Sequence, residues 1–353
     1  MKGTTALCLL FFLLLLLIPL VALGAKTPGK GHNASSAPPE SSVSRAVSSS
    51  SPGSSSAAGS VKPTAADGTF RILDESTQAV LTVSDKEFLY GAMVTEMSPQ
   101  SETEALKAQA VSAYTYYSRL RAQRREKPEE SLKGADFSAD TKNWKIYTTR
   151  EQMQQKWGKN FDAYYKKLTG VADAVSGQSL QSNGELICAT YYAISSGKTE
   201  AASDIWGGNY SYLVPVASPG DVFAGGYSTT VTLTDDELKE KAQKQWSGLV
   251  LSGEPSGWFG KAERTASGSV KTIALGGKEV KGEDARTAFG LRSANFTVTH
   301  GDKGFTFSVR GYGHGVGMSQ AGAQYMASQG SSYEEILAWY YPGTTLVKSS
   351  KGA

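Results

Sequence analysis

Cysteine and histidine are scarce in this chain, with two cysteines and three histidines in 353 residues. Cys8 lies in an apolar leader and Cys188 stands alone in the remainder. No disulfide framework can form, and no cysteine cluster has zinc-finger spacing. A lone thiol of this kind reads as a small buried apolar residue. His32 lies in a low-complexity stretch and His300 beside a hairpin turn, so a catalytic zinc held by three histidines is excluded. Aromatics are missing from a whole segment: after Phe11 and Phe12 none occurs until Phe70. Inside that gap, residues 34–60 hold 13 serines in 27 positions, and such a stretch buries too little apolar surface to offset its ordering entropy. The folded part also lacks a charge excess. Residues 1–60 carry Lys2, Lys26, Lys30 and Arg45 against Glu40 alone, which accounts for the net +3 of 36 basic and 33 acidic residues. The rest is neutral, without the basic footprint of a nucleic-acid-binding domain.

What is present begins with a leader. Ala6 to Leu23 is an apolar run broken only by Pro19, spanning about 27 Å as a helix, enough for a bilayer core. Ala22-Leu23-Gly24 also fits a small-x-small cleavage site, so residues 1–24 read as a membrane anchor or a signal peptide. Either outcome puts the rest outside the cytoplasm. Residues 25–67 read as a disordered Ser/Pro/Gly-rich tether, residues 68–348 as a single large domain, and 349–353 as a tail. Asn33-Ala34-Ser35 matches a glycosylation sequon.

Within the domain, Thr69–Leu73 and Ala79–Val83 predict a hairpin around Asp74-Glu75-Ser76. Ser84 with Glu87 predicts a capped helix running to about Thr95, stopped by Pro99. A second helix from about Ser101 to Arg124 has a small face of Ala105, Ala110 and Ala113. Residues 126–150 look irregular, polar and exposed, and Phe161–Ala174 helical. Asn183-Gly184 predicts a hairpin of Gln178–Ser182 and Leu186–Ile194, and Thr234 with Glu237 caps another helix. Phe296–His300 and Phe305–Arg310 form a further hairpin before the glycine-spaced loop Gly311–Gly317 and two short helices ending before Pro342. Hairpins and separate helices without βαβ alternation predict an α+β class.

Several chemistries fail on spacing. The glycine loop has neither the Gly-x-Gly-x-x-Gly of a dinucleotide site nor the Gly-Lys-Ser/Thr of a P-loop. Ser195-Ser196-Gly197 lacks a nucleophile elbow, which removes serine-protease chemistry. Glu96, by contrast, follows an apolar helix between Met93, Val94 and Met97. A helix C-terminus and desolvating neighbours both raise a carboxyl pKa, as a general acid at neutral pH requires. Lys198-Thr199-Glu200 and Asp204-Ile205-Trp206-Gly207-Gly208 suit either a solvated turn or a carbohydrate site. Glycines around His314 suit either a backbone turn or a cleft lined by amides and the imidazole.

Three segments together resemble the stage II sporulation protein D family, whose domain is shared with amidase enhancers. They are Val94-Thr-Glu-Met97 with Glu104-Ala-Leu-Lys-Ala-Gln-Ala-Val111; Ser195-Ser-Gly-Lys-Thr-Glu200 with Trp206-Gly-Gly208 and Tyr212-Leu213; and Gly311-Tyr-Gly-His-Gly-Val-Gly-Met-Ser-Gln-Ala-Gly-Ala323 with Tyr340-Tyr-Pro-Gly343. Leu291-Arg292-Ser293 also looks like the family. The resemblance implies a lytic transglycosylase acting on peptidoglycan glycan strands stripped of stem peptides, with Glu96 as the catalytic residue. A glycan held for this reaction needs amides, hydroxyls and a few charged donors, so substrate contacts are expected at Gln109, Ser196, Lys198, Thr199, Glu200, His314 and Gln320, with the segments of Glu96, Lys198 and His314 facing one cleft. The resemblance further implies membrane attachment through the N-terminal segment, a partner amidase and a membrane-anchored sporulation complex, and no cofactor. Some members carry a His-x5-Cys-x4-His-Cys zinc site; here Leu132, Ser138, Asn143 and Trp144 stand at its four places, so no metal is expected. Many members have arginine where this chain has Tyr114. The alternative is a non-catalytic wall-binding module that enhances a partner amidase.

Overall fold

A computed structural model describes residues 67–349. The expected leader, nearly all of the tether and most of the tail lie outside the described residues, as does the Asn33 sequon. Strand β1 (Thr69–Asp74) pairs antiparallel with β2 (Val80–Ser84) in the expected hairpin. Helix α1 (Asp85–Glu96) begins at the expected capping box, where Ser84 and Glu87 satisfy each other's backbone amides. Its last residue is Glu96. Helix α2 (Thr103–Glu126) is the spine of the main core: Ala105, Ala108, Ala110 and Ala113 are all 0% exposed, so neighbours close on it from several sides.

The stretch 126–150, expected to be exposed, is anchored instead. Strand β3 (Phe137–Ala139) joins β1 in parallel, and Phe137, Ala139, Thr141, Tyr147 and Thr148 are buried. Asp136 explains the difference. Its buried carboxylate takes the Arg125 guanidinium at 2.7 and 3.0 Å and the Arg71 amide at 2.8 Å, long-range partners that local polarity does not disclose.

Helices α3 (Arg150–Trp157) and α4 (Phe161–Val175) follow. Asn183 and Gly184, at φ 53° and 79°, turn β4 (Gln178–Ser182) into β5 (Glu185–Leu186). The long strand expected over Leu186–Ile194 is broken. The chain leaves that sheet, and β6 (Tyr191–Tyr192) pairs elsewhere before the single turn α5 (Ala202–Ile205).

Residues 228–310 build a second core. The order is β7 (Ser228–Leu233), α6 (Asp235–Gln245), β8 (Phe259–Arg264), β9 (Val270–Leu275), β10 (Lys278–Lys281), α7 (Gly282–Phe289), β11 (Phe296–Gly301) and β12 (Gly304–Arg310). Sheets β10-β9-β8 and β11-β12-β7 enclose Leu238, Phe289, Phe305 and Phe307. The chain then returns to the main core. Strand β13 (Met318–Ser319) lies parallel to β6, with Met318 opposite Tyr191 and Ser319 opposite Tyr192. Helices α8 (Gln320–Ser328) and α9 (Tyr333–Tyr340) follow, and β14 (Thr345–Lys348) closes on β4. The class is α+β. The return strand delivers Gln320 to the space between α1 and α2.

Candidate active site

Glu96 ends α1 facing inward and is only 5% exposed. Gln320 Nε2 donates to its Oε2 at 3.3 Å and to Gln109 Oε1 at 3.4 Å, both long bonds. Glu96 Oε1 and Gln109 Nε2 have no hydrogen-bond partner. Burial therefore acts on the carboxyl nearly unopposed and pushes its pKa up to about 7, with the Gln320 amide holding it back slightly. Tyr117 on α2 and Tyr191 on β6 stand close by; burial raises both pKa values, with Glu96 next for Tyr191, and Tyr116 and then Glu96 for Tyr117. A carboxyl among amides and phenols, with no cation beside it, is an acid that can hold its proton at neutral pH and release it on demand.

Gln320 is held from behind. Ser319 caps α8, accepting from the Gly322 amide while its hydroxyl donates to Asp221. Asp221 is 0% exposed and also accepts from the Ser195 amide at 2.6 Å and from the Ser218 hydroxyl, which is itself bonded to Tyr340. Desolvation raises the Asp221 pKa, and its three donors oppose that rise. One carboxylate thus ties together Ser195, Ser218 and the cap of the helix whose first residue reaches Glu96.

A second cluster lies where the two cores meet. Ser196, Lys198, Glu200 and His314 line a cavity of about 10 Å³, room for one water, together with Glu283 and Arg310. Glu96, Gln109 and Gln320 do not line it. Of the seven expected substrate contacts, Gln320 bonds Glu96 and Gln109, and Ser196, Lys198, Glu200 and His314 line this cavity. Thr199 is 0% exposed, its hydroxyl donating to Val214 O and accepting from Val216 N, so it supports the fold. Glu200 is 2% exposed and neither carboxyl oxygen has a hydrogen bond of ordinary geometry; burial raises its pKa, while Ser269 and Thr265 hold part of the rise back. Lys198 is exposed and Ser196 half-buried. His314 packs between Tyr192 and Trp206 and accepts from the Val316 amide at 3.2 Å. Burial and then Arg286 push its pKa down to about 3, so it is a neutral imidazole.

The glycines of this loop answer to protein neighbours. A β-carbon on Gly315 would lie 2.8 Å from Glu200 Cγ, and one on Gly317 would strike the Thr190 carbonyl. They let the return strand run against the 190–200 segment. Sequence reasoning missed Asp221, because Ser218-Pro219-Gly220-Asp221 reads as an ordinary surface turn. It also missed Tyr117 and Tyr191, which look like core aromatics.

Two departures from the family pattern find local explanations. The four zinc places do not fit a metal: Leu132 and Trp144 carry no donor, the Ser138 hydroxyl binds Glu75, and Asn143 binds Asp140. Lys156 instead sits 3.8 Å above the Trp144 ring. Tyr114 donates to Asp85 at 2.7 Å, at the start of α1 and about 16 Å along that helix from Glu96.

Comparison with known proteins gives this arrangement its setting. Residues 74–181 match the family model described as stage II sporulation protein. The chain is 33% identical over 271 residues to the stage II sporulation protein D of Bacillus subtilis (strain 168), covering 77% of this chain and 76% of that protein. It is equally similar, at 33% over 272 residues, to the protein of that name from Bacillus amyloliquefaciens, with the same coverage. This chain belongs to the stage II sporulation protein D family. Beyond those two, it is 28% identical over 310 residues to an amidase enhancer of Bacillus subtilis (strain 168), covering 73% of this chain and 40% of that longer protein. In this family member the expected catalytic residue is the buried acid at the end of α1.

Proposed function

We propose that this family member is a lytic transglycosylase of peptidoglycan, with Glu96 as its one acid and base. The reading rests on a single buried carboxyl, its pKa raised to about 7, whose near neighbours are amides and phenols. Glu96 protonates the glycosidic oxygen between N-acetylmuramic acid and N-acetylglucosamine. As that bond breaks, the muramic 6-hydroxyl bonds to the anomeric carbon and gives its proton to the same carboxylate. The product is a 1,6-anhydro end and the enzyme regains its proton. A hydrolase would need a second carboxylate to activate water; here the nucleophile belongs to the substrate. Because Glu96 is only 5% exposed, the glycan reaches it by parting the Gln320 and tyrosine wall. Leader and tether would hold the domain outside the cytoplasm at the cell membrane, for wall remodelling during sporulation alongside an amidase that strips the peptides.

The test is to incubate the full chain with peptide-free glycan strands and identify the ends by mass spectrometry. Anhydro ends that vanish in Glu96→Gln are expected; reducing ends, or no cleavage, would reject the reading. A second reading, a module that enhances an amidase without cutting, is favoured by the similarity to an amidase enhancer and by the closed position of Glu96. Stimulation of an amidase by Glu96→Gln as strong as by the wild type, with no cleavage by either, would decide for it.

A further inference from the structure

The second core carries a surface that the reaction does not use. Along the sheet β11-β12-β7, one face is apolar and buried, with Phe296, Phe305, Phe307 and Val309 inward. The other face is hydroxyls. Ser308 lies opposite Thr230 on one side and Thr297 on the other, and Thr306 lies opposite Thr232 and Thr299. These form two rows across three strands, about 4.8 Å apart between strands and about 7 Å between rows. All but Thr306 are exposed.

At the end of the sheet where β7 begins and β12 finishes, this face opens into a groove of about 530 Å³ that holds Ser196, Ser228, Thr230, Thr297 and Ser308. Its charged lining residues are Arg264 and Arg310, and no acid lines it. Arg264 is fixed by the carbonyls of Gly268 and Phe296 at 2.8 and 2.9 Å, leaving other N–H groups free. Neither arginine pairs with a carboxylate among the described residues. Ser196, Asn295 and Arg310 line both this groove and the small cavity beside His314, so the two adjoin.

A solvated sheet face explains the hydroxyl rows alone. It does not explain a recess lined by two guanidiniums that have no carboxylate partner among the described residues, one of them preset by backbone carbonyls. Such a lining matches a ligand rich in hydroxyls that also bears carboxylates. We infer that this groove binds an acidic glycan, with Arg264 and Arg310 reading carboxylates along the strand. The inference rests on the proposed peptidoglycan substrate: removal of stem peptides exposes a lactyl carboxylate on each muramic acid, and the groove would favour that stripped form.

The experiment measures binding of the full chain to peptide-free glycan, to the same glycan with its lactyl carboxylates amidated, and to neutral chitin oligomers. Roughly tenfold tighter binding to the free acid is expected, the scale of one charge-assisted contact, and it should weaken as salt rises. Arg310→Gln should remove that preference without moving the melting temperature. Ser308→Val should weaken binding to all three glycans. Equal affinity for acid and amide, or an undiminished preference in Arg310→Gln, would overturn the inference. The two proposals fail separately. Anhydro cleavage without carboxylate preference would leave the reaction and remove the groove; carboxylate-dependent binding without cleavage would do the reverse.

Discussion

Asp221 and Glu96 are buried carboxyls two hydrogen-bonded steps apart, joined through Ser319 and Gln320, yet they are equipped differently. Asp221 accepts from one amide and two hydroxyls, and every donor also belongs to the framework. Glu96 receives one long bond from a side-chain amide and keeps an oxygen free. Desolvation pushes both pKa values upward. The number of donors then decides what each can do. A carboxylate saturated by fixed donors is a brace, whereas one left nearly bare has a proton to give. At the His314 cavity, Arg286 stands against the half-buried Glu283 at 2.9 Å, and burial raises the Glu200 pKa while Ser269 and Thr265 hold part of the rise back.

The largest way to break this contrast is Glu96→Gln. It should retain the fold and glycan binding while cleavage falls at least roughly 10²–10⁴-fold, since only the transferable proton is lost. Turnover on peptide-free glycan, beside a circular dichroism melt, checks both halves. Asp221→Ala should act on stability, costing on the order of 3 kcal/mol because three donors lose their acceptor in a dry site. Denaturant unfolding measures it, and an unchanged midpoint would remove Asp221 from its role.

A third effect concerns pH. The unfolded Glu96 carboxyl titrates at its ordinary 4.5 and the folded one at about 7. Between those values the folded protein holds a proton that the unfolded chain has lost. The favourable contribution of Glu96 is therefore complete below pH 4.5 and lost as pH rises through 7. Relative to wild type, Glu96→Gln should gain about 2–3 kcal/mol of stability from pH 4.5 to pH 8. A constant difference across that range would contradict a raised pKa. The smallest effect belongs to Tyr114→Phe, which loses the bond to Asp85 and should cost about 1 kcal/mol with no change in cleavage. A change in turnover would show that the far end of α1 reaches the site.

Legibility in the sequence followed the range of the interaction. The capping boxes at Ser84 and Thr234 and the turn at Asn183-Gly184 are local devices, and each lies where its residues indicate. Glu96 was legible because its apolar neighbours are adjacent in the chain. The partners that complete the picture come from far away. Gln320 arrives only because β13 pairs with β6, and Asp221 joins segments whose spacing carries no period. For the same reason the buried strand β3 looked like exposed loop, since its paired carboxylate, Asp136, depends on Arg71 and Arg125. The glycines around His314 leave two readings open in the sequence, because close approach to another strand and close approach to a ligand require the same residue; Gly315 and Gly317 run against the 190–200 segment, and Gly311, Gly313 and Gly315 also line the small cavity with His314.

The central claim is that Glu96 keeps its proton near neutral pH. Carbon-13 labelling of glutamate side chains, with the Glu96 carboxyl resonance identified by its loss in Glu96→Gln, allows that group to be titrated directly. A midpoint near 7 is the expected result. A midpoint at 4.5, the ordinary value for glutamate, would contradict it and remove the physical basis for Glu96 as the acid.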